Sequence, residues 1–377
     1  MHQFKLNDNY LEQINTRLKK LQGFYLFSLT DVYDVINNAD RFSLGFKKQK
    51  ARGFFYGLEL SELRRSIFNS LPLDIRLNAF KKKCDFLEFS TILLSFNLDI
   101  KNLKDVVDIG MGHGVYKLIF DNQHCVVVKE TDSDFPEFFN SLLSFLGYPC
   151  LKIKTLNKKG VLWSISEYLE GSHLTQYLSM KNIDANLVKQ LAYHACIGDV
   201  FGRGDRHFEN YLIHDSIVYP LDISYLFYPE NELWVDRYIK GGQAEFSVIC
   251  EVPEQKDLFW KCYLETFNML NSKKEKINQF IFGFFSKNDA DIYNEFVNSR
   301  LLDINYVSSR KKLSEEALIE FEKRHKIKLK LVEAVKKDSS ILLKDPLLYM
   351  YYYANKDRYS AFFLIGYFNR QYLFDLF

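Results

Sequence analysis

The 377-residue sequence lacks a strong charge bias, a long hydrophobic run and a recognisable export signal. Its net charge is only +2, so no overall field favours nucleic acid or an anionic membrane as a partner. The longest apolar run near the C-terminus, residues 361–368, is far too short to span a bilayer. The N-terminus begins with polar residues and has no apolar signal core. We therefore expect a cytoplasmic protein without a transmembrane segment, although export by a route that needs no signal peptide would leave no trace.

Paired cysteines are also missing. The six cysteines do not show the spacing of a zinc site or of a disulfide framework, and they fit a reducing compartment. They are Cys84, Cys125, Cys150, Cys196, Cys250 and Cys262. The sequence contains no internal repeat and no low-complexity linker. With 47% hydrophobic and 26% charged residues, the composition is that of an ordinary globular chain.

The most informative stretch runs from Gly204 to Asp222. It places Asp205, His207 and Asn210 on one tight loop, and Asp222 follows a short apolar segment, 17 residues after the first aspartate. Phosphoryl transfer from ATP needs such a set: a carboxylate to orient the attacking hydroxyl, an amide and a second carboxylate for Mg²⁺, and a cation or imidazole for the developing charge. The alternative is a solvated polar loop before an edge strand, and the second aspartate disfavours it.

A glycine-rich turn lies upstream, in residues 108–114. Its glycines would let backbone amides approach phosphate groups. They are Gly110, Gly112 and Gly114. Two runs rich in β-branched and aromatic residues follow, Val115–Phe120 and Cys125–Lys129, and they predict the two strands of a hairpin.

Lys129 ends the second of these strands, where kinases place the lysine that pairs with the phosphates of the nucleotide. Apolar residues at helical spacing then predict a helix over residues 135–146. Kinases use an acid on this helix to hold the lysine, and Glu137 in the first turn is the candidate. Asp132 and Asp134 are alternatives for that role, and either could instead cap the helix.

Residues 161–171 are predicted to form a strand that runs into a turn. They fit the hinge between two kinase lobes, where backbone groups bind adenine, and Glu167 is the candidate contact at the end of the strand. Residues 187–201 predict an apolar helix that leads directly into the loop of Asp205. The chain therefore presents the parts of a kinase in a fixed order.

The pattern GDRHxxN at residues 204–210 resembles the catalytic loop of phosphoinositide 3- and 4-kinases. The patterns HFEN at 207–210 and LDIxxLF at 221–227 are closer still to the dehydration domain of class II lanthipeptide synthetases, itself a relative of the lipid kinases. The likeness covers roughly residues 105–230, about a third of the chain. Upstream it includes VVVK at 126–129, FFNSLL at 138–143 and WSISE at 163–167.

This resemblance implies a role for each matching residue. Lys129 would contact the phosphates, Asp205 would activate the substrate hydroxyl, and His207 would support phosphoryl transfer. Asn210 and Asp222 would bind Mg²⁺, so ATP and Mg²⁺ are the implied cofactors. The synthetase domain phosphorylates Ser and Thr of a precursor peptide and then eliminates the phosphate, which implies a peptide or protein substrate here.

Two departures from the synthetases bear on the reaction. The strand lysine is usually followed there by Pro-Arg-Ser, whereas residues 130–133 here read Glu-Thr-Asp-Ser. The chain also has no cyclisation domain, so a stand-alone kinase-like domain is the expectation, and whether elimination follows phosphorylation stays open. Residues 223–236 contain no Lys or Arg for a polyphosphorylated headgroup, which favours a peptide or protein acceptor over a lipid.

A different enzyme class also matches part of the sequence. Residues 106–114 fit the first motif of S-adenosylmethionine-dependent methyltransferases, and Glu130 could then bind the ribose. That motif needs a helix where Val115–Phe120 reads as a strand, and the polar residues of the loop at 204–210 would have no role. A third hypothesis is a pseudokinase scaffold that has the fold without turnover.

The predicted fold class is α+β: a two-lobed protein-kinase-like or lipid-kinase-like fold with helical N- and C-terminal additions. The expected divisions are a helical region at 1–104, an N-lobe at 105–170, a C-lobe at 171–300 and a helical region at 301–377. Helical spacing is clear at 58–71, and a charged helical pattern covers 314–337.

Overall fold

The computed structural model of the chain describes residues 65, 68–69, 71–83, 86–110, 115–121, 123–158, 161–180, 183–204, 206, 208–223, 225–228, 244–313 and 315. The predictions for Gly112, Gly114, Asp205 and His207 lie outside these residues. So do nearly all of the helices predicted at 58–71 and 314–337. Within the described part, the chain is a mixed α and β structure, as predicted, and it divides into two compact units.

The first unit contains the described residues up to Asp132 together with Lys154–Tyr168. Its main feature is a five-stranded sheet in the order β1-β2-β3-β5-β4, preceded by two helices. The pairs β1–β2, β2–β3 and β3–β5 are antiparallel. The elements are α1 (Leu73–Lys83), α2 (Phe86–Ser95), β1 (Leu103–Asp108), β2 (Val115–Phe120), β3 (Cys125–Thr131), β4 (Ile153–Lys158) and β5 (Val161–Glu167), with a short 3₁₀ turn at Ile100–Asn102 before β1.

The core of this unit lies on one face of the sheet. Burial alternates along β2, because successive side chains of a strand point to opposite faces. The buried face joins side chains of α1 and α2, such as Phe80 and Leu93, with strand residues such as Leu118 and Val128. The strands predicted at Val115–Phe120 and from Val161 are confirmed, and the predicted strand at Cys125–Lys129 extends two residues further, to Thr131.

The second unit contains Ser133–Ile153 and the described residues from Leu169 onward. It is mainly helical and includes a three-stranded sheet in the order β6-β7-β8. Its helices are α3 (Phe135–Leu146), α4 (Leu174–Met180), α5 (Ala185–Val200), α6 (Ala244–Glu251), α7 (Lys256–Ser272), α8 (Lys274–Phe284) and α9 (Lys287–Leu301). Its strands are β6 (Ser172–His173), β7 (Tyr211–His214) and β8 (Ile217–Pro220), and 3₁₀ turns lie at Phe208–Asn210 and Pro253–Gln255. No helix within the described ranges has the length and apolar character needed to cross a membrane.

Helix α3 coincides with the predicted helix over residues 135–146. Pro136 lies in its first turn and Gly147 ends it in a left-handed conformation, which glycine adopts at little cost. Phe138 on this helix packs against Phe227 and Phe285, with ring centroids 5.6 and 4.7 Å away. The high phenylalanine content is therefore used, at least in this unit, to build the core.

Helix α5 was predicted at 187–201 and begins two residues earlier, because Asp184 caps it through the backbone amide of Leu187 at 2.7 Å. It is buried along most of its length. Its His194 lies 3.0 Å from the carbonyl oxygen of Val218 in β8, a distance at which the ring Nε2 donates a hydrogen bond. This contact fastens the helix to the β7–β8 hairpin.

His194 should make the folded protein sensitive to acid. Burial lowers the pKa of its imidazole from the usual value of about 6.5 to about 3. Between these values the unfolded chain binds a proton that the folded chain does not, so the free energy of unfolding falls as the pH is lowered from 6.5. From pH 6.5 to pH 5 the expected loss is about 2 kcal/mol.

Urea unfolding at several pH values measures this loss, with His194→Gln as the comparison. Glutamine has no charge to gain in this range, so the variant should show a flatter pH dependence even if it is less stable at neutral pH. Equal pH dependence in the two proteins would show that His194 does not cause the acid sensitivity.

Candidate functional site

Lys129 lies on the third strand of the sheet. Its neighbours across the sheet are Val115 on β2 and Ser164 on β5. The Ser164 hydroxyl donates to the Lys129 carbonyl oxygen at 3.4 Å. The adjacent Val128 is fully buried among the helices, so alternation places the partly exposed Lys129 side chain on the opposite face of the strand. The predicted phosphate-contacting lysine therefore has a backbone fixed on both sides.

The turn after β1 is held by its own polar groups. The backbone amide of Gly110 donates to the Asp108 carboxylate at 2.9 Å and to the Val115 carbonyl oxygen at 3.2 Å. The side chain of Asn69 makes two hydrogen bonds to the backbone of Asp108: it accepts from the Asp108 amide at 2.7 Å and donates to the Asp108 carbonyl oxygen at 2.8 Å. A Cβ at position 110 would collide with the Val115 side chain. Glycine is thus required at 110 by close packing, and the Gly110 amide is engaged inside the turn.

Glu167, the predicted contact after the hinge strand, is the last residue of β5 and lies opposite Val126. The next residue is fastened to the sheet, because the Tyr168 amide donates to the Cys125 carbonyl oxygen at 3.2 Å. The Lys117 ammonium lies 3.6 Å from the centre of the Tyr168 ring, a favourable cation–π distance. The end of β5 is therefore held by both β2 and β3.

Glu137 lies in the first turn of α3, in the second unit, whereas Lys129 belongs to the first. Asp134 occupies the position before the helix, but its side chain makes no capping hydrogen bond. Asp132 is exposed. The pairing of Lys129 with one of these acids stays a prediction.

Asn210 and Asp222 emerge from the same end of one hairpin. The β7–β8 register pairs Tyr211 with Pro220. The ladder continues one step further, since the Leu221 amide donates to the Asn210 carbonyl oxygen at 2.7 Å. The side chain of Asp222 follows at the next position, so the amide and the carboxylate predicted to bind magnesium leave the backbone from adjacent positions.

The backbone of Asp222 is in the left-handed region, with φ of 49°. A non-glycine residue rarely adopts this conformation, and it is found most often at functional sites and in turns. The chain then runs beside the residues that precede the predicted catalytic loop. Gly204 donates to the Tyr225 carbonyl oxygen at 3.2 Å, and Phe227 donates to that of Phe201 at 2.7 Å. Hydrogen bonds on both sides therefore fix the position of Asp222.

The donor set of Asn210 and Asp222 fits magnesium. Mg²⁺ prefers oxygen ligands, and nucleotide enzymes bind it through one or two protein groups together with phosphate oxygens and water. Among the residues that the structure describes, no group of three or more His, Cys, Asp and Glu could hold a metal ion by itself. An amide and a carboxylate would instead share the ion with the phosphates of a nucleotide.

Arg203 and Arg206, which the sequence analysis did not select, are buried beneath this region. They have 2% and 3% of their surface exposed. Arg203 donates to the Tyr211 hydroxyl at 2.9 Å and to the carbonyl oxygens of Asn210 and Leu221 at 3.4 and 3.1 Å. Arg206 forms an ion pair with Asp199 and donates to the Ala195 carbonyl oxygen at 3.1 Å.

Asp199 is the centre of a buried charge network. Besides Arg206, its carboxylate accepts from Arg310 at 2.6 and 2.9 Å and from the Tyr263 hydroxyl at 2.8 Å. Burial alone would raise the pKa of Asp199, but Arg310 and Arg206 outweigh burial and lower it to about 2. Asp199 is thus ionised at every physiological pH, and it anchors Arg206, which lies between the two predicted catalytic residues in sequence.

One signal in the sequence could have revealed this network. Asp199 stands near the end of an otherwise apolar helix, and a carboxylate in such a place usually has a buried cationic partner. The nearest candidates are Arg203 and Arg206. The contribution of Arg310 could not be predicted, because it lies 111 residues away along the chain.

No protein-family model matches the sequence, and no curated protein matches it. Among solved structures, one similar chain is from the complete CtTel1 dimer with C2 symmetry, at 12% identity and a TM-score of 0.38. The match covers 56% of the present chain, which spans only 12% of that chain. A second is the Helicobacter pylori proinflammatory kinase CtkA, at 13% identity and a TM-score of 0.32, covering 56% of this chain and 95% of that one. Both TM-scores are too low to assign the fold.

Proposed function

We propose that this chain is a phosphotransferase with a two-lobed, kinase-like fold, which uses Mg²⁺ and ATP to phosphorylate a hydroxyl group. The observation that carries the proposal is the placement of Asn210 and Asp222. A 2.7 Å hydrogen bond joins the Leu221 amide to the Asn210 carbonyl oxygen, so the backbones of Asn210 and Asp222 lie at neighbouring positions of one hairpin. This pair is the one that kinases use for magnesium.

The order of the elements supports the same reaction. In protein kinases a glycine-rich loop covers the phosphates and the phosphate-contacting lysine is on the third strand of the sheet. Here the turn of Gly110 joins β1 to β2, Lys129 is on β3, and the next element is α3. When bound, Mg²⁺ would neutralise charge on the phosphates. Lys129 would contact the phosphates, and backbone amides of the glycine-rich segment at 108–114 would approach them.

The remaining roles follow from the family resemblance. Asp205 would accept the proton of the attacking hydroxyl, and His207 would support the transferring phosphoryl group. Both residues adjoin Arg206, whose buried side chain anchors the loop at its centre. Glu167 would mark the adenine-binding segment, and Glu137 would orient Lys129.

The favoured acceptor is a Ser or Thr hydroxyl of a peptide or protein. The stretch 223–236 lacks the basic residues that would bind a polyphosphorylated lipid headgroup. Elimination of the phosphate after transfer, as in the lanthipeptide synthetases, is a further step that residues 130–133 disfavour, since Glu-Thr-Asp-Ser stands there in place of the basic Pro-Arg-Ser of the synthetases. Glu130 is exposed on β3.

The methyltransferase hypothesis is the less favoured one. That family needs a helix directly after its glycine motif, so that the cofactor lies against the N-terminus of the helix. Here β2 occupies this position and pairs antiparallel with β1. A cofactor site of the methyltransferase kind would therefore lack its helix.

Thermal denaturation of the purified chain tests the proposal directly. A ligand that binds only the folded state stabilises it by about 2.7 kcal/mol at roughly 100 times its Kd, which raises Tm by several degrees in a chain of this size. We expect this rise with Mg²⁺ and ATP together. S-adenosylmethionine should give none.

The comparison between the two ligands decides between the enzyme classes. A rise with S-adenosylmethionine and none with Mg²⁺–ATP would contradict the kinase proposal and support the methyltransferase hypothesis. A rise with Mg²⁺–ATP that is not accompanied by ADP formation with any hydroxyl acceptor would instead identify a pseudokinase.

A further inference from the structure

Arg203 occupies an unusual position for a charged residue. The chain leaves α5 through Gly202, which is left-handed with φ of 61°, and the Arg203 amide donates back to the Gly198 carbonyl oxygen at 2.7 Å. This turn directs the side chain into the interior, where only 2% of the residue is exposed. Burying a guanidinium is costly unless its donors are used.

The two terminal nitrogens are used next to the two proposed magnesium ligands, whereas Nε is buried without a hydrogen-bond partner among the described residues. One terminal nitrogen, Nη2, donates to the carbonyl oxygens of Asn210 and Leu221, at 3.4 and 3.1 Å. The other, Nη1, donates to the Tyr211 hydroxyl at 2.9 Å. Because the guanidinium is planar and rigid, these bonds fix the start of β7 and the end of the β8 extension relative to each other. Asn210 and Asp222 emerge at these two points.

A carboxylate and two aromatic rings lie near the Arg203 guanidinium. The Tyr211 hydroxyl donates in turn to Glu245, which is fully buried. The Arg203 guanidinium also lies 4.9 Å from the centre of the Tyr211 ring and 5.7 Å from that of Phe139. Glu245 also lies 3.5 Å from Arg206, so the two buried arginines share one carboxylate, and the Arg203 guanidinium is packed between aromatic rings at the backbone of the hairpin.

We propose that Arg203 is a positioning residue that holds Asn210 and Asp222 at the spacing needed to bind one magnesium ion. The inference rests on the proposed function. Arg203 would act through the backbone of its neighbours, with no contact to metal or nucleotide. Replacing a residue of this kind lowers the affinity for the metal although the metal ligands themselves are unchanged.

The test is a Mg²⁺ titration at a fixed concentration of ATP. The quantity measured is the rise in Tm of each protein, relative to the Tm of the same protein without Mg²⁺. Arg203→Met keeps the apolar part of the side chain and removes the planar guanidinium group with its hydrogen-bond donors. We expect it to raise the Mg²⁺ concentration at half-maximal shift by roughly 10- to 100-fold, the usual effect of losing an outer-shell partner. Arg203→Lys keeps the charge but lacks the planar guanidinium group. It should also raise the Mg²⁺ concentration at half-maximal shift, by a smaller factor.

Arg300→Met is the matched control. Arg300 is also buried, at 9% exposed, and it donates to a backbone carbonyl oxygen, that of Val200 at 3.3 Å. Its loss should lower Tm and leave the Mg²⁺ midpoint unchanged. Equal Mg²⁺ concentrations at half-maximal shift for the Arg203 and Arg300 variants would overturn the positioning role. If Arg203→Met does not fold, the same comparison is made between Arg203→Lys and Arg300→Met. A wild-type protein with no Mg²⁺-dependent shift would overturn the proposed function, and the inference with it.

Discussion

Replacing Asp222 by alanine should abolish Mg²⁺–ATP-dependent phosphoryl transfer. A metal ion that neutralises phosphate charge contributes several kcal/mol to the transition state, so losing one of its two protein ligands should reduce kcat at least about 10³-fold. Asn210→Ala should cause a loss of similar size. ADP release in the presence of Ser- and Thr-containing peptides measures both, and phosphoinositide vesicles as an alternative acceptor test the lipid-kinase hypothesis.

Two further variants separate the metal role from backbone strain. Asp222→Asn removes the charge but keeps a side chain that tolerates the left-handed conformation. It should therefore fold like the wild type and still lose turnover. Asp215 has the same φ of 49° and lies in the turn at the opposite end of the hairpin, where it is exposed. Asp215→Ala should keep full turnover, and wild-type turnover in Asp222→Asn would exclude Asp222 as a magnesium ligand.

The largest effect on stability is expected from Asp199→Asn. This change keeps the shape of the side chain but removes the charge that faces Arg206 and Arg310. Arg310 and Arg206 would both lose this carboxylate, and Arg206 would keep Glu245 at 3.5 Å. Removing one partner of a buried ion pair typically costs about 3–5 kcal/mol. Urea denaturation at pH 7 measures the difference in the free energy of unfolding. The Asp199 contribution is present above the usual carboxyl pKa and is lost as the pH falls towards its lowered pKa of about 2.

Glu315→Gln is a suitable control for this measurement. Glu315 pairs with Lys256 at 3.1 Å in the same unit, but its side chain is half exposed. Exposed ion pairs contribute about 0–1 kcal/mol, so this variant should be nearly as stable as the wild type. A loss of the same small size for Asp199→Asn would show that the buried network does not stabilise the fold.

The secondary structure near the candidate site could be predicted because its signals are local. Richness in β-branched and aromatic residues predicted β2, and the helical spacing of apolar residues predicted α3. Errors occurred at element ends, as at Thr131 in β3 and at the start of α5. There the boundary depends on pairing with a neighbouring strand or on a capping side chain, such as Asp184.

For the site, sequence reasoning selected side chains by their chemistry. It chose Asn210 and Asp222 as a pair, and the structure brings their backbones together through the bond between Leu221 and Asn210. Backbone amides of the glycine-rich turn at 108–114 were predicted to approach phosphate groups, and in the structure the Gly110 amide donates to the Asp108 carboxylate at 2.9 Å. Whether any of these residues binds a ligand stays a prediction.

The sequence by itself determined the order of the elements and the set of reactive groups, because periodicity and residue chemistry are properties of short segments. Only the tertiary structure decided which groups support that set. Arg203 bridges residues 7 and 18 positions away, and Arg310 reaches Asp199 across 111 positions. Contacts of this kind are selected by packing and by the need to neutralise buried charge. A local stretch can point to a buried charge, as Asp199 does in an apolar helix, but it does not identify a partner that is distant along the chain.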